Sequence, residues 1–159
     1  MRALRFGLSL AMSAILALGG CAADSGNDGL ALAPTQTDIL TREFDQQLNY
    51  MLTAMIASTE IGPDGKVFFN RPLGDQRFLE PNSGRYWQIS GDGHEAFSSR
   101  SLWDRKLNVS GRKAWTEPLH YNSDQFQSEP LRVGERTVRL PGSEVEWQFV
   151  VARPREGLD

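Results

Sequence analysis

Residues 38–58 read DILTREFDQQLNYMLTAMIAS, and their spacing predicts one long amphipathic helix. Apolar side chains recur at intervals of three and four, which places them along one stripe of a helix. They are Leu40, Phe44, Leu48, Met51, Leu52, Met55 and Ile56. Thr37 is the expected N-cap, and Gly62-Pro63 is expected to stop the helix. Because such a stripe has to be buried, the rest of the chain must supply a surface for it.

Beyond this helix the apolar residues alternate with a period of two, which is typical of β-strands. The predicted strands are Lys66–Phe69, Tyr86–Ser90, Glu95–Ser101, Leu131–Leu140 and Val145–Val151. Gly91-Asp92-Gly93 predicts a hairpin between the second and third of them. In the last strand Val145, Trp147, Phe149 and Val151 alternate with the polar residues Glu144, Glu146 and Gln148, so we expect it to be buried on one face only.

The strand Leu131–Leu140 changes parity along its length. Leu131 and Val133 share one parity, whereas Val138 and Leu140 share the other. A continuous strand with one buried face needs a bulge to keep both pairs on that face, and Gly134 is the predicted position. One long helix followed by about five antiparallel strands predicts an α+β domain, with an irregular connection between Arg71 and Gly84 that includes a helical turn.

Composition restricts the classes of function. The chain has 159 residues, of which 40% are hydrophobic and 23% charged, so we expect one folded domain rather than a disordered or polytopic membrane protein. The net charge of −3 argues against nucleic acid as a partner, since phosphate binding depends on a cationic face. Two histidines and one cysteine, without metal-ligand spacing, predict neither a metal site nor a cofactor.

An enzymatic function is not expected either. Ser110-Gly-Arg-Lys113 satisfies the Ser-x-x-Lys pattern of penicillin-binding serine enzymes. A pattern with two fixed positions arises often by chance, and no companion Lys-Thr-Gly motif accompanies it. No other pairing of a nucleophile with a base stands out.

The N-terminal segment predicts export. Arg2 and Arg5 precede the apolar run Phe6–Leu18, which is the pattern of a signal peptide over residues 1–20. Leu18-Gly-Gly-Cys21 resembles the lipobox of bacterial lipoproteins, so Cys21 is the predicted lipidation site. The alternative is an uncleaved helix that anchors the chain in the inner membrane.

The remaining boundaries follow from composition. Residues 21–36 are mostly small and polar and predict a flexible tether that carries the lipidation cysteine. Residues 37–153 form the predicted folded domain, and residues 154–159 a short tail. The expected location is the periplasmic face of a bacterial membrane, with the lipid as anchor.

One cluster is a candidate ligand site. Arg100, Trp103 and Asp104 follow a predicted strand, and an aromatic ring, a planar cation and an acid at a sheet end are suited to a small polar ligand. Tyr86 is expected to reach the same pocket from the neighbouring strand. The alternative is structural: Arg100 pairs with Asp104, and Trp103 packs and ends the strand.

Five motifs resemble, in the same order, the periplasmic input region of bacterial two-component sensor histidine kinases. They are TREFDQQL at 41–48, RPLGDQRF at 71–78, SGRYWQI at 83–89, SRSLWD at 99–104 and LPG at 140–142. The resemblance covers about residues 41–153. It implies a PAS-like domain in which a long first helix packs on an antiparallel sheet.

The resemblance also implies a role in signal transduction. Leu40, Phe44, Leu48 and Met51 are then the expected dimer face, by which the chain pairs with a second copy or a sensor kinase. The chain has no phosphoacceptor histidine helix and no ATP-binding domain, so the expectation is a non-enzymatic domain that senses an unknown small ligand. The alternative is an envelope lipoprotein that acts as a protein-interaction module.

Overall fold

The structure, a computed structural model, describes residues 32–158. The predicted signal peptide at 1–20 and the predicted lipidation site at Cys21 lie outside the described residues. No helix within the described range is both long enough and apolar enough to span a bilayer.

Helix α1 spans Gln36–Ser58 and begins two residues earlier than Thr37 would require. The N-cap is Thr35, whose hydroxyl oxygen accepts from the Asp38 backbone N–H at 3.1 Å while the Asp38 carboxylate accepts from the Thr35 N–H at 2.9 Å. This reciprocal capping box needs an acceptor side chain three residues after the cap. Thr37 has Leu40 at that position, so the prediction of Thr37 was wrong, and the predicted tether ends before Gln36.

The helix passes directly into a small hairpin. Strands β1 (Thr59–Ile61) and β2 (Val67–Phe69) form a separate two-stranded antiparallel sheet. Thr59 already has extended backbone, and its hydroxyl donates to the Met55 carbonyl at 2.6 Å. Gly62-Pro63 therefore lies in the hairpin turn after β1 and does not end the helix, which corrects the prediction.

The main sheet contains five antiparallel strands: β3 (Tyr86–Gly91), β4 (Phe97–Ser98), β5 (Leu119–Ser123), β6 (Leu131–Val138) and β7 (Trp147–Pro154). Their order is β4-β3-β7-β6-β5. Short 3-10 helices occupy Gln76–Leu79 and Arg100–Leu102. The described chain is thus α+β, with one α-helix, a five-stranded antiparallel sheet and a small two-stranded sheet.

Two strands differ from the sequence expectation. The predicted strand Glu95–Ser101 reduces to β4, because its last residues enter the 3-10 helix Arg100–Leu102. The sequence prediction missed β5, which takes the fifth place in the main sheet, whereas the predicted strand Lys66–Phe69 belongs to the small one.

Both faces of the main sheet are buried, and the two faces have separate cores. On one face α1 packs against β6 and β7, and the buried residues of this core, to which β3 contributes, include Leu48, Leu52, Met55, Trp87, Ile89, Phe149 and Val151. The opposite face packs beneath the segment after β4, and its buried residues are Tyr86, Leu102, Leu107, Leu131, Val133, Val150 and Ala152. Strand β7 is consequently buried on both sides, so the prediction of a half-buried closing strand was wrong.

A buried carboxylate holds the segment that covers the second face. Glu135 on β6 is fully buried and accepts from the Ser110 backbone N–H at 3.0 Å, the Ser110 hydroxyl at 3.1 Å and the Tyr121 hydroxyl at 2.9 Å. Burial raises the pKa of Tyr121, so the phenol keeps its proton and remains a donor to this carboxylate.

Strand β6 contains no bulge. Its pairing with β7 runs without a break from Leu131 opposite Pro154 to Val138 opposite Trp147. Both faces of the sheet are buried, so Leu131 and Val133 pack into one core while Val138 and Leu140 pack into the other. The predicted bulge at Gly134 is therefore unnecessary. Gly134 instead lets α1 approach: a Cβ placed there would lie 3.2 Å from the Leu48 Cβ and 3.3 Å from the Leu52 Cδ1.

We expect Gly134→Ala to lower the free energy of unfolding by about 1–3 kcal/mol, because the added methyl group pushes the helix away from the sheet. Urea unfolding followed by circular dichroism measures the change. Gly74→Ala is the matched control, since a Cβ at Gly74 meets nothing within 4 Å. Equal stability of the two variants would contradict the role given to Gly134.

Candidate functional site

A cleft of about 290 Å³ opens where the β1–β2 turn meets the β3–β4 turn. We call it the hairpin cleft, and it is lined by Lys66, Val67, Gly93, His94, Glu95, Ala96, Phe97 and Trp147. Lys66 lies in the β1–β2 turn and Val67 begins β2. Residues 93–96 connect β3 to β4, Phe97 begins β4, and Trp147 begins β7.

Trp147 is held in place by a glycine and a serine. It stands opposite Gly91 in the sheet, and a Cβ at Gly91 would lie 2.6 Å from the indole ring. Only a residue without a side chain allows this approach. The indole Nε1–H donates to the Ser143 hydroxyl at 2.9 Å, so both the plane and the edge of the ring are fixed.

Phe97 adds a second aromatic ring to the lining. It belongs to a cluster in which Phe69, Trp87 and Phe97 are in mutual contact, with ring centroids 4.9, 5.4 and 5.0 Å apart. The His94 ring lies 4.9 Å from the Trp147 ring at an angle of 46°. Offset and edge contacts of this kind rigidify a cluster beyond what simple burial does.

The hairpin cleft therefore combines an apolar floor with an ionisable rim. Val67, Phe97 and Trp147 supply the apolar surface, while Lys66, His94 and Glu95 supply a cation, an imidazole and a carboxylate. Such a lining is suited to a small molecule with an apolar or aromatic body and a charged end. Within residues 32–158 no three His, Cys, Asp or Glu side chains come close enough together to hold a metal ion.

The predicted ligand residues lie elsewhere. Trp103 follows the 3-10 helix Arg100–Leu102 with a φ of +58° and is 66% exposed. Arg100 and Asp104 are exposed too, and no ion pair joins them in the described part of the chain. The structural alternative, an Arg100–Asp104 pair with a packed Trp103, does not describe this arrangement, and a ligand site at these residues stays a prediction.

Tyr86 is fully buried and serves a different cluster. Its hydroxyl lies 2.9 Å from both oxygens of Glu129 and accepts from the Gly84 N–H at 3.1 Å. Arg105 pairs with Glu129 at 3.2 Å and lies over the Phe126 ring at 4.0 Å. Burial raises the pKa of Tyr86, so this hydroxyl is a donor and a structural tie between β3 and the segment that leads into β6.

Ser110 and Lys113, which match the Ser-x-x-Lys pattern, contact different partners. Ser110 donates to Glu135 at 3.1 Å, while Lys113 pairs with Glu146. The serine hydroxyl thus holds a loop, and the lysine joins that loop to the residue before β7.

The predicted dimer face divides into buried and exposed residues. Leu48 is fully buried in the core of its own chain, and Phe44 and Met51 pack against that core. Leu40 is 40% exposed. A second copy is therefore unable to contact Leu48, and Leu40 is the most accessible of the four.

A polar cluster fixes α1 on the sheet. Arg132 on β6 makes a two-pronged ion pair with Asp45, at 2.8 and 2.7 Å. His120 on β5 has its Nε2 2.7 Å from the Asn49 Oδ1, and its Nδ1 lies 3.9 Å from the Asp45 Oδ2. An amide oxygen only accepts, so Nε2 carries the proton of the neutral ring. Burial lowers the pKa of His120, and the nearby Asp45 offsets part of that effect.

Neither the hairpin cleft nor the polar cluster was apparent from the sequence. Each joins residues that are far apart along the chain, such as Lys66 with Trp147 and Asp45 with Arg132. The one local indication was the Gly91-Asp92-Gly93 hairpin, which placed a turn where the hairpin cleft lies. Comparisons with family models, with curated proteins and with solved structures found no match to this chain.

We expect the free energy of unfolding to fall as the pH is lowered from about 7 to about 5. His120 has a lowered pKa in the folded chain and one near 6.5 in the unfolded chain, so the unfolded chain binds the proton first. His120→Gln should flatten this part of the profile, measured by urea unfolding across the range. His94→Gln, at an exposed histidine, is the control, and an unchanged slope in His120→Gln would contradict the assignment.

Proposed function

We propose that the chain is an extracytoplasmic signal-sensing domain that binds a small ligand, PAS-like in fold and similar to the input region of a sensor histidine kinase. The observation that carries the proposal is the hairpin cleft, with its aromatic floor and ionisable rim. The role is binding rather than catalysis.

The general architecture of the domain, a helix on an antiparallel sheet, supports this proposal. The resemblance implies a first helix against an antiparallel sheet, and α1 does pack on the five-stranded sheet through β6 and β7. The likeness to PAS domains and the link to a two-component system remain part of the proposal.

The ligand we propose is small and amphipathic. The 290 Å³ of the hairpin cleft lies at the lower end of the range for small-molecule sites, which is roughly 300–1,000 Å³. An aromatic or branched apolar body would pack on Trp147 and Phe97. Lys66 would bind a carboxylate or other anion at the rim, and Glu95 an amine.

A thermal-shift screen of the chain against small aromatic acids, amines and amino acids tests the proposal. A compound present at 100 times its Kd adds about 2.7 kcal/mol to the free energy of unfolding. We expect Lys66→Ala to abolish the shift by acids and Glu95→Ala the shift by amines. Both residues are exposed, so neither change should lower the stability of the unliganded chain.

Lys106→Ala is the matched control, because Lys106 is exposed and lies outside the hairpin cleft. It should leave every ligand-dependent shift intact. A screen without any hit, or shifts that survive in both cleft variants, would contradict ligand binding at this site.

One observation favours the second candidate, an envelope lipoprotein that binds another protein. Leu79 and Trp103 are 64% and 66% exposed. Leu79 ends one 3-10 helix and Trp103 directly follows the other, and the two helices are in contact. Contiguous exposed apolar surface is typical of interaction sites. A ligand screen without any hit would favour this candidate over the ligand-binding domain.

We further propose that the chain is tethered to the membrane through acylated Cys21. Several acyl chains anchor a protein firmly, whereas one gives only marginal binding. Mass spectrometry of the membrane fraction should find acylated Cys21 and no residues 1–20, and Cys21→Ser should release the protein from that fraction. An intact N-terminus would contradict lipidation and favour the uncleaved anchor helix.

A further inference from the structure

A second concave site lies at the far end of β3 and β7 from the hairpin cleft. It has a volume of about 220 Å³ and is lined by Arg77, Ser83, Gly84, Arg85, Arg153, Pro154 and Glu156. We call it the arginine pocket. Since Gly91 pairs with Trp147 at one end of these strands and Tyr86 with Ala152 at the other, the two sites are separated by the length of the sheet, roughly 20 Å.

The pocket brings together two arginines from neighbouring segments. Arg85 directly precedes Tyr86 and Arg153 directly follows Ala152, the residues that pair at this end of β3 and β7, and both arginines line the pocket. Like charges brought close together are destabilising. Arg77 brings a third guanidinium to the same pocket from the 3-10 helix Gln76–Leu79.

The carboxylates nearby compensate only part of this charge. Asp75 lies 2.7 Å from Arg77 and 3.8 Å from Arg85. Glu156 lines the pocket but is exposed and makes no ion pair within residues 32–158. Among the described residues, Asp75 is thus the only carboxylate in an ion pair with any of these three guanidinium groups.

Arg153 is the least compensated of the three. One of its terminal nitrogens donates to the neutral Gln47 side chain, its guanidinium lies 3.8 Å from the centre of the Phe44 ring, and its Nε is buried without a hydrogen-bond partner in the described residues. Burial, followed by the positive charges of Arg85 and Arg77, lowers the pKa of Arg153 to about 10. The group is still charged at neutral pH, so it is a cation without a counter-ion.

We propose that the arginine pocket binds a compact oxyanion, a phosphate or sulfate group. Planar guanidinium groups match tetrahedral oxyanions with paired N–H donors, and a bound anion removes the repulsion between Arg85 and Arg153. The small volume fits the anionic group and excludes a bulky body. The group belongs either to a free ion or to the headgroup of an anionic lipid.

Titration of the full-length chain with inorganic phosphate and sulfate, at constant ionic strength maintained with chloride, tests the proposal. We expect both anions to raise the melting temperature beyond chloride alone. Arg153→Met should weaken phosphate binding by about tenfold or more, in keeping with the loss of a charge-assisted contact. Arg77→Gln should also weaken phosphate binding. Because the Arg77 side chain is 53% exposed, this change should not disturb the core, and the variant tests the pocket even if Arg153→Met fails to fold.

Arg112→Met is the matched control, since Arg112 is exposed and lies outside the pocket. A response equal to that of chloride, or one that survives in both Arg153→Met and Arg77→Gln, would overturn the proposal.

Vesicles distinguish the source of the anion. Full-length Cys21→Ser protein, which lacks the acceptor for a lipid, is sedimented with vesicles of phosphatidylcholine or of an equal mixture with phosphatidylglycerol. Binding to the mixed vesicles in excess of binding to phosphatidylcholine, with the excess lost in Arg153→Met, assigns the pocket to a lipid headgroup. A phosphate response without this excess assigns it to a free ion, and the absence of both refutes the site.

Discussion

Strand β7 has no exposed face, and the placement of both proposed sites depends on this constraint. It lies between β3 and β6 in the sheet, and apolar cores cover it above and below. A strand enclosed in this way has its register and side-chain directions fixed together, because any slip would exchange the two cores. Its two ends lie at the two concave sites. Trp147 at one end forms the floor of the hairpin cleft, and Arg153 at the other lines the arginine pocket.

The position of the helix follows from one close approach and one ion pair. Gly134 leaves room for Leu48 and Leu52, and Asp45 with Arg132 fixes the helix along its axis. A largely buried ion pair adds little net stability, because its desolvation offsets its attraction. Its better-attested effect is to specify one alignment among several that an apolar stripe alone would permit.

The sequence predicted those features that depend on local periodicity and failed where distant residues meet. The stripe of residues 38–58 and the alternation around Tyr86 and Trp147 are local, and helix and strands are found there. The bulge at Gly134 and the half-buried last strand rested on the assumption of one apolar face, which a sheet with two cores violates. In strand β5 only Leu119 and Tyr121 are apolar, an alternation too short to identify a strand at the edge of a sheet. Lys66 and Trp147, or Arg85 and Arg153, line one concave site only because the tertiary fold brings distant segments together, which no short motif encodes.

The junction between α1 and β1 contains no loop, since Ser58 ends the helix and Thr59 begins the strand. A connection without slack transmits displacement, and the hairpin that follows carries Lys66 and Val67 into the hairpin cleft. Because the close approach at Gly134 and the Asp45–Arg132 ion pair fix α1 on the sheet, they also fix the start of this hairpin. The position of Lys66 in the cleft therefore depends on contacts that the helix makes many residues earlier in the chain.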